Sequence, residues 1–435
     1  MESYSFILDL AMILLTTKIM GIVSKQFQMP QVVGALLAGL IFGPACLNII
    51  HESTFIEATA EIGVILLMFG AGMETDIKEL KKTGTASLVI AIFGVVVPLA
   101  GGYAVAAYFN QAGRIVSDAS GDVFLQNIFM GIILTATSVS ITVETLKEMG
   151  KLKTRSGNAI LGAAIIDDVL GIIGLTIVTS FTDASVSIGL VLAKTIGFFV
   201  FAGVIGIIFH KVYMYWSESA DRDLHRHTII ALVFCLLMSY VAEEFFGVAD
   251  ITGAFVAGLV LANTKRSHYV NAKFEVLSYL YLSPIFFASI GLQVTIPEMS
   301  TSILMFTVIL VIVAILSKII GCGVGAKLCG YQNYQCIRIG TGMVSRGEVA
   351  LIVASKGAAL GLVGSDFIGP IVVAVVVTTV ITPILLKVVF KGGPASVPVE
   401  LDPAQKGLTH NYEMKEKIRH FHREIENNEI DKMLK

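Results

Sequence analysis

From near the N-terminus to about residue 390, long apolar blocks alternate with short breaks that carry charge, glycine or proline. Most blocks approach the ~20 residues a helix needs to cross a bilayer. The pattern predicts about thirteen transmembrane helices, over 5–24, 30–47, 58–74, 84–109, 123–146, 157–181, 186–214, 226–246, 249–263, 275–293, 302–328, 334–360 and 363–390. Barrel strands would alternate apolar and polar positions in segments of about ten residues, and these blocks do not. The expected fold class is an all-α polytopic membrane protein. The first block lacks a basic leader and a small-residue cleavage site, so it reads as a retained span.

Two blocks repeat. Gly34-Ala35-Leu36-Leu37-Ala38-Gly39-Leu40 matches Gly253-Ala254-Phe255-Val256-Ala257-Gly258-Leu259 at an offset of 219 residues. The same offset pairs Gly72-Met73-Glu74 with Gly291-Leu292-Gln293, and Ile77 with Ile296. It encloses seven spans, an odd number, so the second copy is inverted in the membrane. Inverted repeats are a transporter architecture with a site near the midplane at broken helices. Spans five and twelve are the expected broken, crossed pair. One carries the β-branched and hydroxyl run Leu134-Thr135-Ala136-Thr137-Ser138-Val139-Ser140-Ile141-Thr142. The other carries Gly340-Thr341-Gly342-Met343-Val344-Ser345-Arg346-Gly347-Glu348. Such residues form helices poorly because their side chains or bare backbone favour other conformations.

Only 15% of the residues are charged, and the formal net charge is −2, so no nucleic acid or other polyanionic partner is expected. Loop charge orients the chain. Lys25, Lys78, Lys81, Lys82, Lys147, Lys151, Lys153, Arg155, Lys211, Arg222, Arg226, Lys265, Arg266, Lys273, Lys327 and Arg338 fall on one side. Glu52, Glu57, Asp118, Asp122, Asp183, Glu243, Glu244, Asp250 and Glu298 fall on the other, with Arg114 as the exception. The positive-inside rule puts the basic set and the polar tail 392–435 in the cytoplasm, and the N-terminus outside. The five cysteines read as small buried hydrophobes, without a C-x-x-C pair. His225-x-His227 and His420-x-His422 read as exposed, solvated pairs rather than metal ligands.

The chemistry concentrates on Asp167 and Asp168, adjacent carboxylates midway along an apolar span. A charge at that depth costs at least ~2.5 kcal/mol, so it is kept where it serves an ion or proton path. Adjacent helical residues point about 100° apart, so the two carboxylates meet different neighbours. A carboxylate able to hold a proton or a monovalent cation, but not both, exchanges one for the other by competition. Lys318, buried in Ile315-Leu316-Ser317-Lys318-Ile319-Ile320-Gly321, needs a partner, and Asp167 is the expected one. Asp168 is then the expected ion and proton site, with Thr137, Ser138 and Ser140 offering oxygens and Na⁺ placed between Asp168 and Thr137. Ser345, Arg346 and Glu348 support the second break, and Glu74 and Gln293 are expected to line entry funnels.

On these residues the chain resembles the monovalent cation/proton antiporter-2 family, which includes sodium/proton antiporters and Kef-type potassium efflux systems. The motifs are Met29-Pro30 through Gly43-Pro44, Thr135-Ala136-Thr137-Ser138, Asp167-Asp168, Ser283 through Leu292, Lys318 through Gly321 and Ser345 through Ala350; together they cover about 5–390. The resemblance implies a thirteen-helix inverted-repeat fold, a homodimer and an elevator-like motion. Its core would be 84–181 with 302–391, moving against a dimerisation scaffold of 1–83 with 186–300. It also implies that Asp168 carries the ion while Asp167 pairs with Lys318, an arrangement associated with electrogenic exchange. Kef-type members usually have glutamine in place of the first aspartate and add a nucleotide-binding domain; here Asp167 stands, and 392–435 is too short for that domain.

The reading is a secondary antiporter of the cell membrane, not an enzyme. It exchanges Na⁺ (or Li⁺ or K⁺) for H⁺ without a cofactor. The alternative is a K⁺/H⁺ antiporter or Kef-like efflux protein. An intramembrane aspartyl protease would need aspartates converging from separate places, and a membrane sensor would need an output domain.

Overall fold

The computed structural model describes residues 5–391, except 28, 76, 112–113, 116–117, 183–186, 220–223, 263, 265 and 295–299, and except the side chains of 5, 78, 79, 216–219, 224, 225 and 348. His420, His422 and the rest of the tail lie outside these residues, as do Asp183, Arg222, Lys265, Ile296 and Glu298.

Nearly all of the described chain is helical. The helices are α1 (Ser5–Gln26), α2 (Gln31–Phe42), α3 (Thr54–Glu74), α4 (Ile77–Phe109), α5 (Val123–Thr135), α6 (Val139–Glu148), α7 (Arg155–Thr182) and α8 (Ile188–Ser219). They continue with α9 (Leu224–Phe246), α10 (Asp250–Ala262), α11 (Ser267–Leu277), α12 (Ser283–Leu292), α13 (Thr301–Leu328), α14 (Asn333–Gly342), α15 (Glu348–Ala359) and α16 (Ser365–Lys391). A π-helical turn, Ser278–Leu282, joins α11 to α12 just ahead of Pro284, which has no N–H to continue an α ladder. Side chains of Ser53, Asp122 and Ser300 cap α3, α5 and α13 by accepting from the first-turn backbone.

Among the described residues, ten helices or helix pairs are long and apolar enough to cross a membrane. The blocks at 30–47 and 249–263 form α2 and α10, of 12 and 13 residues. At 1.5 Å per residue each is about 20 Å long, short of the ~30 Å bilayer core. Some helices begin earlier than the apolar blocks predict. α4 starts at Ile77, so Lys81 and Lys82 belong to its first turns, and the tenth block starts at Ser267 rather than near 275. Side chains such as Ile196, Val200, Val204 and Ile207 of α8 are exposed, as lipid-facing positions are.

Two local expectations fail. His227 is wholly buried, because α9 already begins at Leu224 and turns it against the Tyr213 ring, 5.9 Å away. Cys46 is exposed, in the turn that follows α2, while Cys235, Cys322 and Cys336 are buried and Cys329 is half-buried.

The repeat is built into the packing. The backbone of Gly39 on α2 rests against the carbonyl of Ala288 on α12, so closely that a Cβ would overlap it. Gly258 on α10 rests in the same way against the carbonyl of Phe69 on α3. Gly39 and Gly258 are 219 residues apart, and so are Phe69 and Ala288. Each repeat therefore packs its short glycine helix against a helix of the other, and only glycine allows backbones this close.

Candidate functional site

The two broken helix pairs cross at their breaks. Between α5 and α6 the chain is extended at Ala136 (φ −56°, ψ 135°) and Ser138 (φ −89°, ψ 107°). Between α14 and α15 it runs through Met343–Gly347. The Ser138 N–H donates to the Ser345 carbonyl at 2.8 Å, and Ser345 Oγ donates to the Ser138 carbonyl at 2.7 Å. Thr142 Oγ1 donates to the Gly342 carbonyl at 2.7 Å and lies 2.9 Å from Ser345 Oγ. Ser138 Oγ and Ser140 Oγ lie 3.2 Å apart. The hydroxyls that made this run a poor helix thus supply the bonds that hold it open.

Arg346 is buried in the second break. Its guanidinium donates to the carbonyls of Leu134 at 2.7 Å, Val344 at 3.0 Å and Ala314 at 3.1 Å. A fixed cation thus rests on the C-terminal end of α5, where unsatisfied carbonyls gather partial negative charge. Thr379 Oγ1 on α16 donates to the Arg346 carbonyl. The side chain of Glu348 lies outside the described residues.

Beside the crossing, α7 presents Asp167 and Asp168 near its middle. Asp167 is buried, and Lys318 of α13 donates to both of its oxygens, at 3.1 Å to Oδ1 and 3.0 Å to Oδ2. Thr137 Oγ1 donates to Asp167 Oδ2 at 2.7 Å, so Thr137 joins the first aspartate rather than the second. Lys318 has no exposure at all. A pair this deep holds only because each charge finds the other and further hydrogen bonds complete it.

Asp168 is half-buried and, with Asp167, lines a cavity of about 820 Å³. Glu57, Glu61, Glu243 and Asp250, at the start of α3, the end of α9 and the start of α10, also line the cavity. These belong to the acidic end of the molecule. Gln293 also lines this cavity, and its amide donates to Glu52 at 2.8 Å. Burial pushes the Glu52 carboxyl above its ordinary value, and the Gln293 hydrogen bond opposes it. Glu74 lies at the other end of the molecule, where Lys147 Nζ is 3.3 Å from it and Asn271 donates to it at 3.1 Å. The equivalence of Glu74 and Gln293 in the repeat thus leads to opposite ends, as inversion requires.

The basic end holds a feature that the apolar pattern does not predict. A separate cavity of about 410 Å³ is lined by Lys25, Glu144, Lys147, Glu148, Glu275 and Lys387. Glu148 accepts from the Gln31 N–H at 2.7 Å, and Lys387 donates to the Phe27 carbonyl at 3.3 Å. The signal was available, since Glu144 is a carboxylate inside a predicted span.

Comparison with known proteins agrees with this architecture. The family model described as sodium/hydrogen exchanger, transmembrane, matches residues 11–392. The chain is 39% identical over 388 residues to the Na(+)/H(+)-K(+) antiporter GerN of Bacillus cereus, covering 89% of this chain and 97% of that protein. It is 42% identical over 387 residues to the probable Na(+)/H(+) antiporter GerT of the same organism, covering 88% and 99%. It is 37% identical to a Na(+)/H(+) antiporter of Enterococcus hirae, covering 88% and 97%. Among solved structures, that of the sodium proton antiporter MjNhaP1 from Methanocaldococcus jannaschii superposes with a TM-score of 0.67 at 18% identity, covering 90% of this chain and 98% of that one.

Proposed function

The chain belongs to the sodium/hydrogen exchanger family, and from that premise we propose that it is a secondary active antiporter exchanging Na⁺ for H⁺ at Asp168. One observation carries the reading. Lys318 and Thr137 hold Asp167 with three hydrogen bonds, and the neighbouring Asp168 lines with it a large cavity beside the two broken helices. A carboxylate there takes a proton or a hard cation in turn, and each occupant excludes the other. The oxygen-rich break at Thr137 and Ser138 lies beside the cation. The N-terminal ends of α6 and α15 and the Arg346 guanidinium balance the partial charges of the break. The acidic residues of the lining concentrate cations by their field.

The acidic end is the outer face by loop charge, so this arrangement is the outward-open one, with the N-terminus outside and the tail 392–435 in the cytoplasm. Exchange then requires the core helices (84–181 and 302–391) to move against a scaffold of 1–83 and 186–300, with α2 and α10 as matching short crossings. The lipid-facing apolar surfaces of α1 and α8 suit a homodimer in the cell membrane. No cofactor takes part. Transport of K⁺ is the second reading, supported by the name of the GerN relative.

The test is current measurement on proteoliposomes fixed to a solid-supported membrane, with Na⁺, Li⁺ and K⁺ across pH. Wild type should respond to Na⁺, and Asp168→Asn should abolish the response while still eluting as a folded species. Wild-type exchange by Asp168→Asn would overturn the assignment. A response to K⁺ alone would favour the second reading.

A further inference from the structure

Two small residues lie close to the Asp167–Lys318 pair, near Oδ1 of Asp167, while Thr137 bonds Oδ2. Gly94, midway along α4, faces it with bare backbone: a Cβ there would stand 3.6 Å from Asp167 Oδ1 and 3.9 Å from Lys318 Nζ. The same Cβ would stand only 2.7 Å from Cys322 Sγ, nearer than non-bonded carbon and sulfur come. Cys322 follows Lys318 by one turn of α13 and is fully buried. The helices have no slack with which to open a gap. A Cβ on Gly321 would come 2.5 Å from the Phe93 carbonyl oxygen, and one on Gly325 would come 2.9 Å from Ile90 Cα.

We propose that Gly94 and Cys322 are positioning residues for the ion pair. Gly94 leaves the space that the Cys322 thiol fills, and the filled space keeps the Lys318 ammonium seated on both oxygens of Asp167. This rests on the reading that the pair belongs to the transport machinery. Neither residue touches the transported ion; each acts through the placement of Lys318. Interiors packed at this density transmit the displacement of one methyl group to their neighbours. Here the next neighbours after the Cys322 sulfur are the two charges. Removing Sγ relieves the overlap that a Cβ at position 94 creates.

The experiment compares Gly94→Ala, Cys322→Ala and the double variant in proteoliposomes, reading the pH dependence of Na⁺-driven proton movement. Gly94→Ala is expected to move the pH midpoint by at least ~0.5 unit, a shift that reports altered charge interaction. The double variant is expected to return it toward wild type. A purely structural role would lower yield or thermal stability and leave the midpoint in place, which would overturn the proposal. A shift that Cys322→Ala does not relieve would overturn it equally. Should Gly94→Ala fail to fold, Cys322→Ala alone decides, because loss of the thiol loosens the seat of Lys318. Its midpoint should shift, and an unchanged one sinks the idea. Lys318→Gln runs alongside. If it leaves the midpoint untouched, the pair itself is outside the machinery. If it moves the midpoint and the Gly94 and Cys322 variants do not, only the positioning role falls.

Discussion

Ser138 and Ser345, one from each broken helix pair, bond to each other twice: backbone N–H to carbonyl at 2.8 Å and Oγ to carbonyl at 2.7 Å. The crossing is thus a bonded joint rather than a mere approach of two interruptions. Extended backbone inside a bilayer needs protein partners for its polar groups, because no water is available at that depth. The two breaks supply them to each other, and the joint fixes the surroundings of Asp167 and Asp168.

Ser345→Ala tests the joint. It removes the bond to the Ser138 carbonyl and a neighbour of Thr142 Oγ1. It leaves a buried acceptor without its donor, at a cost of ~1–3 kcal/mol. The thermal midpoint of the purified protein should fall, and exchange should slow. An unchanged midpoint would mean that other contacts hold the crossing.

The Asp167–Lys318 pair calls for a double-mutant cycle. Lys318→Gln or Asp167→Asn alone leaves a buried charge unmatched, and breaking such a pair costs about 3–5 kcal/mol. The double variant leaves no charge behind, so it should be less destabilised than the two losses added together. Thermal unfolding of the four proteins measures this. Additivity within ~0.5 kcal/mol would show that the charges are not coupled.

Much of this was legible in the chain. Helix positions followed from apolar blocks, and the interlock of Gly39 with Ala288 and Gly258 with Phe69 follows the 219-residue register. The break near Thr137 was visible because hydroxyl and β-branched residues disfavour helix. The pairing of Lys318 with Asp167 could be inferred because a buried ammonium requires a carboxylate. What sequence could not supply was the third dimension. Thr137 donates to Asp167 instead of facing Asp168, and Arg346 ends on three carbonyls. Gly94 and Cys322 carry no charge and announce themselves only by distance. His227 was misread because the polar residues around it resemble a loop although α9 has already begun.

At the acidic end, Asp118 ties the loop after α4 to the start of α16. It accepts from the Ser365 N–H at 2.8 Å and from Ser365 Oγ at 2.7 Å. These bonds hold its carboxyl below the ordinary value of 3.8, with the Ser365 hydroxyl as the largest cause. The folded-state value is therefore lower than the unfolded one. The stability contributed by the ionised group is full above the unfolded value and is lost as pH falls through the folded one. Wild type should exceed Asp118→Asn in thermal midpoint at neutral pH, and the gap should narrow only below pH 3.8. A gap that is constant down through that window would show that Asp118 acts without its charge.

Orientation and access can be tested in one labelling experiment. The cavity that reaches Asp168 is also lined by Glu61 and Gln293, at the acidic end. The second cavity, lined by Glu144 and Glu275, lies at the basic end. Cys46 is exposed and would react by itself, so a Cys46→Ser background is needed. On the proposed orientation, with the acidic end outside, Gln293→Cys in that background should react in intact cells with a membrane-impermeant maleimide. Glu275→Cys should react only after the membrane is opened. The opposite pattern would invert the topology and make the present arrangement inward-open. Added Na⁺ offers a further reading at Ser289→Cys, which lies on the cavity wall with Asp168. If the cation binds at Asp168 and shifts the balance between access states, labelling at Ser289→Cys should change with Na⁺ in wild-type Asp168 and lose that response in Asp168→Asn.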